Sequence, residues 1–219
     1  MSAVKSRIWD LPTRLMHWGL VIAIAVCWWT GTHNDLDYHI YSGYAALWII
    51  LMRIYWGFAG SSTAQFKNFV RGPRAIIAYV RTLHWRNTPH APGHNPLGAL
   101  SVLALLGVAL TVVVLGLYAV DVDGLYSGPM SLYVSFKKGR HLAHLHYDWF
   151  EYLLYVIGLH LAAVAFYYIH KRHNLVAPMI TGKAHIEEEM TGAPLWRLAL
   201  GMVVISAFVW AVSKGFYIF

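Results

Sequence analysis

The chain has 219 residues, 58% of them hydrophobic and 12% charged, with one cysteine and a formal net charge of +7. That balance describes a polytopic membrane protein forming one membrane domain over residues 1–219, not a soluble domain. A single cysteine, Cys27, excludes an intrachain disulfide, a Cys-x-x-Cys-His cofactor attachment and a cysteine-ligated iron–sulfur cluster.

Five apolar stretches are expected to cross the bilayer: Leu15–Thr32, His39–Ala59, Pro96–Val120, His146–Ile169 and Leu195–Ser213. The first follows a basic lead and has no small-x-small cleavage site, so it is expected to remain as a helix. The third carries no charge from Leu97 to Val120, and the fifth none between Arg197 and Lys214. The fold class is therefore all-α, a polytopic membrane helix bundle.

Basic residues orient it. One side carries Lys5, Arg7 and Arg14, then Lys67, Arg71, Arg74, Arg81 and Arg86, then Lys171, Arg172, Lys183 and Arg197. The other has Asp35, Asp37, Asp121 and Asp123, with Lys137, Lys138 and Arg140 as its main basic cluster. Twelve basic residues against three place the amino terminus in the cytoplasm. The net charge thus follows membrane topology and is no nucleic-acid footprint; the partner it implies is the lipid bilayer. Trp18, Trp56 and Trp196 near the inner ends, and Trp28, Trp29, Trp149 and Trp210 near the outer ends, form the expected aromatic belts.

Histidine placement carries the functional reading. His17, His39, His146 and His160 each fall at or just inside the end of an apolar stretch, where an ionisable side chain is costly. His146 and His160 are fourteen residues apart, which returns nearly to the same helix face about 21 Å further along. Matching depths gives an inner pair, His17 with His160, and an outer pair, His39 with His146. Two bis-imidazole sites suit two six-coordinate haem b groups.

Gly31 lies fourteen residues after His17, and Arg53 fourteen after His39. Gly31 either leaves room for the outer macrocycle or serves close helix packing. Arg53 either pairs with a propionate of the inner haem or snorkels to the inner interface. His141, His144 and His146 have a spacing that suits zinc or copper, at the expense of the outer ligand pair. The run Lys137–His141 reads instead as a basic outer loop that docks a partner or touches headgroups. His33 is a candidate for lining a quinone or docking site. His84, His90, His94, His170, His173 and His185 fall in cytoplasmic loops or helix ends, and most of them read as solvated.

Trp9-Asp10-Leu11-Pro12-Thr13-Arg14-Leu15-Met16-His17-Trp18 resembles the opening signature of the bacterial cytochrome b561 family, an aromatic-Asp-x-x-x-Arg-x-x-His-Trp pattern. His39 through Gly43 to Arg53 is similar to its second helix. His146 to His160, then Asn174-Leu175-Val176 and Met179-Ile180-Thr181-Gly182-Lys183, is similar to its fourth helix and the segment after it. The family includes the b-type cytochrome subunits of nickel–iron hydrogenases. The resemblance covers residues 1–185 and implies a four-helix di-haem core with His17, His39, His146 and His160 as axial ligands. Leu195–Ser213 is then an additional fifth span.

The resemblance further implies electron transfer in the bacterial inner membrane between the quinone pool and a periplasmic redox protein. That partner would be a hydrogenase, a dehydrogenase or a cytochrome c, with quinone as substrate or bound ligand. No catalytic acid–base pair or nucleophile is required, because the chemistry belongs to the cofactor. Two other readings stay open: a stand-alone superoxide or quinone oxidoreductase, and a histidine-rich metal permease.

Overall fold

The computed structural model describes residues 5–85, 93–185 and 190–216. Arg86 and His90 lie outside them. The fold is all-α. Five long helices carry it: α1 (Leu11–Thr32), α2 (Leu36–Ala59), α5 (Pro96–Leu117), α6 (Phe136–Ile169) and α8 (Leu195–Ser213). Short helices α3 (Phe66–Phe69) and α4 (Pro73–Arg81) follow α2, and α7 (Val176–Thr181) follows α6. Strands β1 (Lys5–Arg7) and β2 (Lys183–His185) pair antiparallel, with Ser6 opposite Ala184.

Among the described residues, α1, α5, α6 and α8 are long and apolar enough to cross a membrane. Helix α2, the remaining expected span, has 24 residues and is not among those four, with Asp37, His39 and Arg53 along it. Large apolar side chains such as Ile22, Leu159 and Val203 point outward. Hydrocarbon solvates them, so the outer face of each helix needs no polar cover.

Helix α6 corrects the expected boundary. It begins at Phe136, ten residues before His146, and its 34 residues make a rod of about 51 Å against a hydrocarbon core of about 30 Å. The run Lys137–His141 is therefore the first turn and a half of a helix and not a loop. Hydropathy marks where hydrocarbon begins, whereas the helix starts at its cap: Lys138 N–H donates to Ser135 Oγ at 3.4 Å. Helix α5 ends earlier than expected, at Leu117. Val120 instead bridges to Ser127 across a turn in which Asp121 N–H donates to Tyr126 O at 2.9 Å.

The chain forms two compact units. The first comprises Met1–Leu15, Ile54–Leu105 and Val156–Leu198. Its polar centre is Asp10, which caps α1 by accepting from Thr13 N–H at 2.8 Å and takes the Trp56 indole N–H at 2.7 Å. Gly182, at φ +79°, ends α7 and accepts from the N–H groups of Ile8 (2.9 Å) and Trp9 (3.2 Å). Arg14 donates to the Ile180 carbonyl, and Thr63 Oγ1 donates to the Ile8 carbonyl at 2.7 Å. The opening segment is thus fastened to both later parts of its unit.

The second unit comprises Met16–Arg53, Leu106–Tyr155 and Ala199–Phe219. Ala46, Leu47, Ile50, Met52, Ala109, Val112 and Leu153 are buried. Helix α8 buries Gly201, Ile205, Val209 and Val212, spaced four, four and three apart, which is one face of a helix. Trp48 Nε1 donates to Ser206 Oγ at 2.9 Å in this unit, while in the first Tyr55 donates to Arg197 O at 2.8 Å.

Candidate functional site

The second unit brings two predicted ligands together. His39, one turn into α2, and His146, three turns into α6, face one another with ring centroids 5.9 Å apart and planes at 89°. A metal atom between them would take about 2.0–2.1 Å to a nitrogen on either side. With the half-width of each ring added, the observed separation suits one shared metal atom.

Each ring is tied through the same nitrogen. His39 Nδ1 lies 2.8 Å from the Cys27 carbonyl, and His146 Nδ1 lies 2.8 Å from the Val112 carbonyl. A carbonyl only accepts, so both Nδ1 atoms carry hydrogen. Nε2 is then the nitrogen each ring has left for a metal, which neutral imidazole ligates.

Around them lies a cavity of about 630 Å³, inside the roughly 300–1,000 Å³ range of cofactor sites. Its walls are mostly apolar, with Leu20, Ile24, Ile50, Val113 and Leu153 among them, and Gly43 opens one side. Asp121, Tyr126, Ser127 and Arg140 line it as well. Arg140 also donates to Val120 O at 3.3 Å, which leaves guanidinium hydrogens for a carboxylate. Paired imidazoles, an apolar slot and a cationic side chain fit a b-type haem.

Gly31, the glycine expected beside this site, lies against one of its rings. A Cβ on Gly31 would sit 3.1 Å from His39 Nδ1, so the close neighbour it admits is the imidazole itself. Gly116, which the sequence reading missed, does the same for His146, where a Cβ would lie 3.0 Å from both Nδ1 and Cε1.

The other expected ligands belong to different units. His17, in the second, stands edge-on to Trp18 with ring centroids 5.0 Å apart. His160, in the first, has Nδ1 3.4 Å from Ser101 Oγ. Arg53, on α2, is buried.

Several other histidines are held locally. His94, expected to be solvated, packs between Trp9 and Phe69 at centroid distances of 4.8 and 4.5 Å. His170 stacks on Phe166 at 5.0 Å. His33 stacks on Trp29 at 4.0 Å and contacts the Trp29 carbonyl, which holds it against the last turn of α1. Among the described residues, no group of three His, Cys, Asp or Glu is placed to hold a metal ion, so His141, His144 and His146 do not form the zinc or copper site their spacing allows.

No curated protein and no solved structure matches the chain. A family model described as prokaryotic cytochrome b561 matches residues 8–182, from the buried Ile8 to the glycine that ends α7. That stretch includes the Trp9–Trp18 signature, both facing histidines and the walls of their cavity. The chain belongs to the prokaryotic cytochrome b561 family: it is a multi-pass membrane cytochrome of the b type, binding haem b and serving electron transfer.

Proposed function

We propose that the protein is a di-haem cytochrome carrying electrons across the bacterial inner membrane between a periplasmic redox protein and the quinone pool. His39 and His146 would hold the outer haem, and His17 and His160 the inner one. Haem supplies one-electron chemistry. The polypeptide positions the iron ligands, excludes water with the apolar walls of the cavity, and meets a propionate with Arg140 at the outer site. Arg53, buried on α2, is the candidate partner for an inner propionate.

The observation that carries this reading is the facing pair of Nδ1-protonated imidazoles, 5.9 Å apart across an apolar cavity. The inner pair rests on the fourteen-residue interval from His146 to His160 and on the family signature that ends in His17-Trp18. The distribution of basic residues supports a cytoplasmic amino terminus. Residues 1–185 would then form the di-haem core. Helix α8 would be an added span, held to α2 through Trp48 and Ser206, where a neighbouring subunit can pack.

The protein purified from membranes should show a reduced-minus-oxidised b-type band with two haems per polypeptide by pyridine haemochrome. His160→Ala should remove the inner haem and spare the outer. Retention of both haems in that variant would refute the ligand assignment. Co-purification of a hydrogenase, dehydrogenase or cytochrome c supports the partner-dependent reading, and turnover of quinone by the isolated chain supports a stand-alone oxidoreductase.

A further inference from the structure

The hydrogen bonds of the outer pair share one construction on two helices. On α1 the accepting carbonyl is that of Cys27, and the residue four positions on is Gly31. On α5 it is that of Val112, and the residue four positions on is Gly116. In an α-helix each Cα–Cβ bond tilts toward the amino terminus, so the side chain at position i+4 lies over the turn from which the carbonyl of residue i emerges. Glycine there uncovers the carbonyl and lets an imidazole from a neighbouring helix lie against it. A methyl group in either place would come within 3.0–3.1 Å of the ring, and the ring would have to give way.

Each imidazole plane is therefore set by a bond direction that belongs to a helix backbone, and the two planes meet at 89°. Resting on the assignment of His39 and His146 as axial ligands, we propose that these two glycine-uncovered carbonyls hold the ligand planes perpendicular, which makes the outer haem a strongly anisotropic low-spin centre. The electronic reason is general. Parallel imidazole planes donate into the same iron d-orbital and split the near-degenerate pair. Perpendicular planes donate into one orbital each, leave the pair nearly degenerate and preserve the orbital moment. Gly31 and Gly116 act through the rings and are positioning residues.

The test is low-temperature electron paramagnetic resonance of the ferric protein carrying His160→Ala, so that only the outer haem contributes. A single resonance at very low field is expected, in place of a three-line rhombic spectrum. Adding Gly116→Ala should shift intensity from that resonance into a rhombic signal, and Gly31→Ala should do so to a smaller extent. A rhombic spectrum in the His160→Ala protein itself overturns the perpendicular arrangement while leaving the ligands assigned. A low-field resonance unmoved by both alanine substitutions overturns the role of the glycines. Where an alanine variant loses its haem, the spectrum of the His160→Ala protein alone decides. Haem that survives His39→Ala together with His160→Ala refutes the ligand assignment, and the proposal with it.

Discussion

In the second unit the two facing imidazoles are held by backbone carbonyls of Cys27 and Val112, while in the first unit Asp10 and Arg14 of the signature act through their side chains. Asp10 accepts two donors there, Arg14 reaches the Ile180 carbonyl and Trp56 is buried. The difference separates two tasks. The Trp9–Trp18 pattern is the most recognisable stretch of the sequence, yet most of its polar contacts start α1 and fasten the opening segment. The pair suited to a metal is positioned by groups that have no side-chain identity, a carbonyl and a missing methyl. A recognisable motif therefore locates the family, and the helix backbone sets the geometry of the outer site.

Substitutions can break that division or sharpen it. The largest expected effect is from His39→Ala or His146→Ala. On the two-haem reading proposed above, each should abolish the outer haem and remove about half of the b-type absorbance, since a six-coordinate haem needs both axial nitrogens. The midpoint of thermal unfolding of the remaining helices should change less than the spectrum.

Asp10→Ala should do the reverse. It leaves the buried Trp56 indole N–H without its acceptor, at about 1–3 kcal/mol, and removes the cap of α1, at about 0.5–2 kcal/mol. A fall in the thermal midpoint in detergent, with the outer haem band retained, is the expected readout. Loss of the outer band on a par with His39→Ala would erase the distinction between the units.

Gly182→Ala should come next, at about 1–2 kcal/mol for forcing a side chain into the left-handed region. The new methyl would also lie 2.9 Å from the Trp9 carbonyl. The smallest effect belongs to Ser206→Ala, which removes one hydrogen bond from Trp48 and should cost about 0.6 kcal/mol, the average for such bonds between membrane helices. A large loss there would give α8 a part in holding the unit together that its single bond to Trp48 does not predict.

Much of this was legible in the chain. Apolar runs placed α1, α2 and α8 to within four residues, and Leu195–Ser213 matched at both ends. Depth matching pairs His39 with His146, whose ring centroids lie 5.9 Å apart. The start of α6 was not legible from hydropathy, because Phe136–Leu145 is helix lying outside the apolar run. Ser135, three residues before Lys138, was the available capping signal. The role of Gly116 was hidden for another reason. Glycine is common in membrane helices, and only the 34-residue separation between Val112 and His146, closed in space, gives this one its meaning. His94 misled in the same way: a loop histidine reads as solvated until Trp9 and Phe69 are folded around it.

The most direct test of the account is the haem content and ligand dependence of the purified chain. A dithionite-reduced minus oxidised spectrum should show a b-type α-band, reduced in His39→Ala and again in His160→Ala, and absent when both are replaced. A b-type band of undiminished height in His39→Ala would contradict the paired imidazoles on which the rest depends.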